Sequence, residues 1–264
     1  MVVKKTFNPA LDLIRTVAIV FVISQHFMLN THFFQEQNDG VSLFIQRCLL
    51  PLFSIATPLF MILTGYLNTT KEINRKYYRG FAKIAFSIFF FVLIWIGFRL
   101  WVLKEYFNIL KLFADVTSLN IIRYSWYIKM YIGLFLLMPF LNVLWKNIEK
   151  KEKELLICSL AIITFIPSWV NRGNLEIIPS YWSVCYPIAY YYIGSYLKEY
   201  TVRINPNLYL VILCIFITNG LVNSLLANGY FSLYGGPDSI FTMIIAVFIF
   251  QALNRFDHCC PIKI

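Results

Sequence analysis

The chain has 264 residues, of which 59% are hydrophobic, 18% are aromatic and only 14% are charged. A soluble globular protein is about a quarter charged and less than half apolar, so this composition excludes one. The apolar residues are gathered in runs of about 20, a length that crosses ~30 Å of hydrocarbon as a helix, and not in the alternating segments of a membrane barrel. The net charge of +10 comes mainly from residues at the ends of these runs, so membrane topology explains it more simply than nucleic-acid binding.

Eight apolar runs predict an all-α, polytopic transmembrane helix bundle. The predicted spans cover residues 9–29, 41–67, 80–103, 125–145, 154–170, 181–198, 208–227 and 235–254. No Gly/Ser linker, tandem repeat or soluble domain separates them, so we interpret residues 1–264 as a single membrane domain. The first run is interrupted by charged groups and is followed by no small-residue cleavage site, which favours a retained span over a secretory signal.

Lysine and arginine residues set the predicted orientation of this bundle. With eight spans, fifteen of the 23 such residues fall on one side and four lie within spans. The other side has only Lys104, Lys111, Arg123 and Arg172. The side rich in these residues is normally cytoplasmic, so both termini are predicted to be cytoplasmic and the protein to be a multi-pass protein of the cell's inner membrane. The longest outer loop, residues 104–124, is amphipathic enough to lie on the membrane surface.

Charged groups within the spans are candidate functional residues, because each costs a few kcal/mol in hydrocarbon. This set consists of Arg15, His26, Arg47, Arg99 and Lys129, with Asp12 at the edge of the first span. Arg15 and His26 are eleven residues apart, which places them on one helix face ~16 Å apart along the axis. Such a face suits a cytosolic polyanionic donor at one end and an outward-facing acceptor at the other. The alternative is that Arg15 snorkels to lipid phosphates and His26 hydrogen-bonds a neighbouring helix.

The loop between the second and third spans is strongly basic. Residues 71–83 carry five positive charges, Arg75 and Arg79 among them. Such groups hold phosphates through charge-assisted hydrogen bonds, although cytoplasmic topology alone also predicts a basic loop here. The preceding span ends in Thr64-Gly65-Tyr66, where the glycine permits close helix packing or backbone contact with a ligand.

Two residues at the start of the fourth span are candidates for substrate contact. Trp126 lies where an aromatic belt is expected, and Lys129 lies about one turn deeper. Lys129 either snorkels outward or points into a cavity and meets a substrate. The six cysteines show no metal-ligand spacing, so we expect no metal site.

Several of these segments resemble the acyltransferase 3 family, the integral membrane acyltransferases that modify surface polysaccharides. The resemblance begins with the family's hallmark, an Arg or Lys followed after ten residues by His, which corresponds here to Arg15 and His26. Further similar segments are Pro58 to Leu67, the basic loop with Arg75 and Arg79, Ser125 to Pro139, and Tyr191 to Leu197. Their order and spacing extend over about the first 200 residues.

The resemblance implies an acyl-CoA-dependent O-acyltransferase that moves an acetyl group to a hydroxyl of a polysaccharide or its lipid-linked precursor. His26 would be the catalytic histidine, with Arg15 as its partner towards the acyl-CoA side. Arg75 and Arg79 would help hold the donor's phosphates. The residues themselves, and not the resemblance, make Thr64-Gly65-Tyr66 a further candidate for contact with the donor, and Trp126 and Lys129 candidates for contact with the acceptor. Membrane lipids and the glycan are the expected partners, with acetyl-CoA as acyl donor and no nucleic acid or metal.

Two departures from the family pattern keep other hypotheses open. Some relatives carry a glutamate where this chain has Tyr131, and the family usually has ten spans, so we expect the last two to be missing. A glycan or lipid-linked sugar transporter uses intramembrane charges in the same way. An inactive, truncated remnant is the third hypothesis.

Overall fold

The computed structural model describes residues 8–31, 33, 40–122, 124–171, 175–200, 207–225 and 236–255. These residues form helices joined by loops, and no strand occurs among them. The helices are α1 (Pro9–Asn30), α2 (Val41–Ser54), α3 (Ala56–Asn68), α4 (Arg75–Trp101), α5 (Ile109–Thr117), α6 (Trp126–Lys146), α7 (Lys150–Phe165), α8 (Pro167–Val170), α9 (Tyr186–Glu199), α10 (Asn207–Leu225) and α11 (Ile240–Asn254). A 3-10 helix, Ser180–Cys185, leads directly into α9. The predicted all-α class is therefore confirmed.

Helices occupy the positions of all the predicted spans. Among the described residues, five helical stretches are long and apolar enough to cross a membrane, namely Pro9–Asn30, Val41–Asn68, Arg75–Trp101, Trp126–Lys146 and Lys150–Val170. The last three predicted spans fall on the 3-10 helix with α9, on α10 and on α11. The total of eight spans and the cytoplasmic termini remain predictions. Arg123 and Arg172, counted above on the outer side, lie outside the described residues.

The second predicted span is two helices, and a proline explains the division. Pro58 has no N–H to donate to the carbonyl of Ser54, and its ring would clash with that carbonyl. α2 accordingly ends at Ser54, and Ile55 forms a turn before α3 begins. The Ile55 carbonyl then accepts the first hydrogen bond of α3, from Leu59 N at 2.9 Å.

The chain divides into two compact units, and each is described by itself. The first comprises Met1–Thr69 and Glu149–Ile264 and holds α1–α3 and α7–α11. Its core centres on α9, where Tyr190, Tyr191 and Tyr192 are fully buried. Burying a tyrosine requires a partner for its hydroxyl, and Tyr190 donates to the carbonyl of Pro237 at 2.8 Å.

The second unit, Thr70–Ile148, holds α4–α6. Its two long helices run antiparallel, because the beginning of α4 contacts the middle of α6 and the end of α4 contacts the loop before α6. The Tyr77 hydroxyl donates to the Phe135 carbonyl at 2.5 Å, and the Trp95 indole donates to the Ile121 carbonyl at 2.9 Å. These bonds fix the register of the pair.

A short helix, α5, lies within the predicted amphipathic loop. The Asn108 side chain caps it by accepting hydrogen bonds from the N–H groups of Leu110 and Lys111. The apolar residues Ile109, Leu110 and Phe113 are exposed. An exposed apolar face on a short helix suits an interfacial position. The location of this segment on the membrane surface stays a prediction.

Candidate active site

Arg15 lies near the beginning of α1. The helix begins at Pro9 and is capped by Asn8, whose side-chain oxygen accepts from Leu11 N at 3.0 Å. Asp12 occupies the first turn, where a carboxylate complements the helix dipole. Arg15 Nη1 donates to Asp12 Oδ1, and the Arg15 side chain is 43% exposed. An exposed pair of this kind is worth only about 0–1 kcal/mol, so a phosphate can replace Asp12 as the partner of Arg15.

His26 lies eleven residues further along the same uninterrupted helix. The buried stripe of α1 is formed by Ala10, Leu11, Ile14, Ala18 and Met28. Arg15 and His26 both lie at the edge of this stripe and are half-buried, whereas Val20 and Phe27 on the far side are exposed. The His26 carbonyl accepts a hydrogen bond from Asn30 Nδ2 at 2.6 Å. Since the helix is unbroken, its geometry keeps the two side chains on one side, ~16 Å apart.

The predicted donor-binding segment Thr64-Gly65-Tyr66 lies in the last turns of α3. The Thr64 hydroxyl donates to the Phe60 carbonyl at 2.7 Å, within its own helix. A Cβ added to Gly65 would lie 2.0 Å from the carbonyl oxygen of Tyr191, so this glycine faces the backbone of α9. Close helix packing therefore accounts for Gly65, and contact with a donor stays a prediction.

Tyr66 has a more polar neighbourhood than the two residues before it. Lys198 Nζ lies 4.7 Å from the centre of its ring, a cation–π distance. Asn254 Nδ2 donates to its hydroxyl at 3.5 Å, and the ring of Phe250 packs against it at 5.5 Å. The ends of α3, α9 and α11 thus meet around Tyr66.

Arg75 and Arg79 belong to the second unit, in the first turns of α4. Asn74 caps this helix by accepting from Tyr77 N at 2.7 Å. The two arginines are four residues apart, so they share a helix face, and both are exposed. A helix N-terminus attracts anions through its unpaired N–H groups and its dipole. Two exposed guanidinium groups at such an end fit a phosphate-bearing ligand.

Trp126 and Lys129 lie at the beginning of α6, also in the second unit. Trp126 is exposed. Lys129 Nζ donates to Asn120 Oδ1 at 2.7 Å, which ties its ammonium to the loop before α6. This end of α6 therefore presents one indole and one ammonium group to its surroundings.

The family model described as an acyltransferase domain, that of the acyltransferase 3 family, matches residues 8–258. The chain belongs to the acyltransferase 3 family. The match includes α1 with Arg15 and His26 as well as the second unit with Arg75 and Arg79. Searches of curated proteins and of solved structures found no match.

Membership of the acyltransferase 3 family confirms the predicted resemblance and shows a membrane acyltransferase in general terms. It also extends the resemblance, because the match runs to residue 258, whereas the segments recognised in the sequence end near Leu197. Within the described residues, no group of three or more His, Cys, Asp or Glu side chains is placed to hold a metal ion.

One polar cluster of this acyltransferase was missed in the sequence. Lys153 is nearly buried, at 7% exposure, and its Nζ donates to both carboxylate oxygens of Glu199 at 2.8 and 2.9 Å. Nearby, the Tyr196 hydroxyl donates to Glu154 at 2.6 Å. The partners are more than 40 residues apart in sequence, so no local spacing signals either pair.

The structure also explains a charge that the sequence singled out. Arg99, near the end of α4, donates from Nε to Glu105 Oε2 at 2.9 Å. Its guanidinium lies 4.7 Å from the ring centre of Phe107. A neighbouring carboxylate and an aromatic ring therefore satisfy Arg99 locally.

Proposed function

We propose that this member of the acyltransferase 3 family is a membrane-embedded O-acetyltransferase of the cell's inner membrane. It moves an acetyl group from acetyl-CoA to a hydroxyl of a surface polysaccharide or its lipid-linked precursor. Family membership supports acyl transfer, and the long apolar helices support a membrane location. The observation that carries the proposal is the placement of Arg15 and His26 on one side of the uninterrupted helix α1.

His26 is the proposed catalytic residue. As a general base, its neutral imidazole takes the proton of the sugar hydroxyl while that oxygen attacks the thioester carbonyl, and CoA leaves as a thiolate. As a nucleophile, the imidazole attacks the thioester carbonyl and takes the acetyl group while CoA leaves as a thiolate. The sugar hydroxyl then attacks the acetyl carbonyl, loses its proton to water and displaces the imidazole. The position of His26 at the edge of the buried stripe suits both roles, since the ring is held by the helix and remains partly accessible.

The basic residues bind the donor in this proposal. Arg75 and Arg79 hold phosphates of acetyl-CoA at the beginning of α4, through charge-assisted and bidentate hydrogen bonds. Arg15 exchanges its exposed partner Asp12 for the donor. Tyr66, with the cation of Lys198 over its ring, is a further donor contact. Thr64 and Gly65 support it by holding the end of α3 against α9.

Trp126 and Lys129 bind the acceptor glycan. A sugar ring has an apolar face that packs against a flat aromatic side chain, and an ammonium group donates hydrogen bonds to its hydroxyls. The two residues lie within one turn of each other at the beginning of α6.

The deciding experiment compares His26→Ala with a matched variant on the same helix. Ile23→Ala truncates an exposed apolar side chain less than one turn away. Both variants are expressed in a strain that lacks the gene, and surface glycans are analysed for acetyl groups by mass spectrometry. We expect Ile23→Ala to restore acetylation and His26→Ala to insert into the membrane yet restore none. Full acetylation by the His26 variant would refute the proposal.

The same experiment separates acyl transfer from the rival functions. A glycan transporter would change the amount of surface glycan and leave the acetyl content of each chain unaltered. An inactive protein would leave both unaltered when the wild-type gene is restored. Radiolabelled acetyl-CoA added to purified protein without acceptor then distinguishes the two roles of His26, because only an acyl-histidine intermediate retains label on the wild-type chain.

A further inference from the structure

The first unit contains a groove that the proposed function does not use. It lies between α7, α9 and α11 and has a volume of about 380 Å³. Its walls are largely apolar and include Ile157 and Ala161 on α7, Ile193 on α9 and Val247 on α11. Polar groups lie at one end only, where Glu154, Tyr196 and Gln251 complete the lining.

The polar end of the groove lies close to the beginning of α7. This helix starts with Lys150, Lys151 and Glu152, charged residues that require water or lipid headgroups around them. Glu154 and Ala161 are seven residues apart, so the groove extends ~10 Å along α7. Since Lys150–Val170 is long and apolar enough to cross a membrane, the groove runs from the membrane interface into the acyl-chain region.

The rim carries an accessible ion pair. Lys150 Nζ lies 3.8 Å from Glu154 Oε1, a loose contact, and the same oxygen accepts the hydrogen bond from Tyr196. The side chains of Lys150 and Glu154 are 58% and 49% exposed. Lys150 also lies 5.1 Å from the ring centre of Tyr200. An approaching headgroup therefore meets an accessible ammonium and an accessible carboxylate, one helical turn apart.

These observations define the chemistry of an occupant. An apolar groove at this depth is filled by an acyl chain, because water finds no polar partners along its walls. A headgroup that carries both a phosphate and an ammonium complements Lys150 and Glu154 together. An anionic headgroup without an ammonium would leave its charge facing Glu154. We propose that the groove binds a zwitterionic phospholipid with a primary ammonium headgroup, of the phosphatidylethanolamine type.

In the bound lipid, the phosphate lies next to Lys150 and the ammonium next to Glu154. One acyl chain follows α7 past Ile157 to Ala161. The site is independent of the acyl-transfer chemistry, since none of the residues assigned to donor or acceptor lines it.

Photocrosslinking tests this site. The purified full chain is reconstituted in phosphatidylcholine vesicles that contain a trace of phosphatidylethanolamine or phosphatidylglycerol with a photoreactive acyl chain. Labelled peptides are then mapped by mass spectrometry. We expect phosphatidylethanolamine to label peptides of α7, α9 and α11 at least several-fold more strongly than phosphatidylglycerol does. Excess unlabelled phosphatidylethanolamine should suppress this labelling in the wild type, a result that depends on no variant.

Three substitutions on α7 provide the structural test. Ala161→Trp fills the groove, and Ile162→Trp places the same bulk on an exposed neighbour outside the lining. Labelling should be lost in the first and retained in the second, and Glu154→Gln should abolish the preference for phosphatidylethanolamine. Uniform labelling of all helices, or equal labelling by the two lipids, would show bulk lipid contact only and overturn the proposal. Stronger labelling by phosphatidylglycerol would overturn it in favour of an anionic lipid.

Discussion

Gly65 of α3 and Gly194 of α9 lie in one helix crossing where each helix touches the backbone of the other. A Cβ on Gly65 would lie 2.0 Å from the Tyr191 carbonyl oxygen, and a Cβ on Gly194 would lie 2.0 Å from the Ile62 carbonyl oxygen. Small residues let helix backbones approach in this way within membranes. The crossing holds α3 and α9 together and positions Tyr66, the next residue along α3.

Alanine at either glycine should therefore disrupt the first unit. The clash is with backbone atoms, which no side-chain rotation relieves, so the cost should reach or exceed the ~1–3 kcal/mol typical of overpacking. We expect Gly65→Ala and Gly194→Ala to lower the melting temperature of the detergent-purified protein sharply, as followed by fluorescence-detected size exclusion.

Gly97→Ala is the matched control for these substitutions. Gly97 lies within α4, and a Cβ there would meet nothing within 4 Å. Alanine is favoured over glycine in a helix by about 1 kcal/mol, so this variant should be neutral or slightly stabilised. Equal losses of stability at Gly97 and Gly65 would contradict the crossing.

A second prediction concerns the nearly buried lysine of α7. Glu199→Gln leaves the Lys153 ammonium without its carboxylate. Breaking a fully buried pair costs about 3–5 kcal/mol, but Glu199 is 41% exposed, so we expect a loss of about 1–3 kcal/mol. Replacing both residues, as Lys153→Met with Glu199→Gln, should recover part of the loss, because no uncompensated charge remains. Thermal unfolding of the single and double variants measures this, and additive losses would show that the two residues do not interact.

The sequence predicted helix positions well, for a physical reason. A segment that crosses ~30 Å of hydrocarbon needs about 20 apolar residues whatever its tertiary contacts. Hydropathy therefore predicted α1, α4 and α6 within a few residues. It could not predict the break at Ile55, since apolar residues continue through it and the cause is the backbone of Pro58.

The candidate site was predictable only where its residues lie on one helix. The spacing of Arg15 and His26 predicted a shared side of α1, because helical geometry alone determines it. For Gly65, the sequence left open whether a helix or a ligand approaches it. Only the structure shows the Tyr191 carbonyl there. The neighbourhood of Tyr66 depends on Lys198 and Asn254, which come from distant helices and share no periodic pattern with it.

Lys129 offers a test that separates acceptor binding from structural tethering. Its ammonium donates to Asn120, so either Lys129→Ala or Asn120→Ala breaks the same hydrogen bond. We expect Lys129→Ala to raise the KM for the acceptor glycan about tenfold, as loss of one charge-assisted hydrogen bond of ~1.5 kcal/mol would do. Asn120→Ala should leave the KM for the acceptor within about twofold of the wild-type value. Equal effects of the two substitutions would mean that Lys129 serves only to hold the loop.

The role of Arg75 and Arg79 can be tested by changing the donor instead of the fold. Both guanidinium groups are exposed at the beginning of α4, so their replacement by glutamine should leave stability nearly unchanged. If the two arginines hold the donor's phosphates, each glutamine variant loses a charge-assisted contact of ~1.5–3 kcal/mol. Its KM for acetyl-CoA should then rise about 10- to 100-fold. With acetyl-pantetheine, which has no phosphate, both variants should match the wild type.

Lys76→Gln is the control for the loss of one charge in this segment. Lys76 is also exposed, and it lies about 100° around the helix from Arg75 and about 60° from Arg79. The KM of the Lys76→Gln variant for acetyl-CoA should rise only slightly, because one positive charge near the site is lost. That small change should vanish at high salt, which screens such charges. A uniform effect of all three substitutions would indicate only the field of a basic cytoplasmic loop. A defect of the arginine variants that persists with acetyl-pantetheine would exclude phosphate binding as their role.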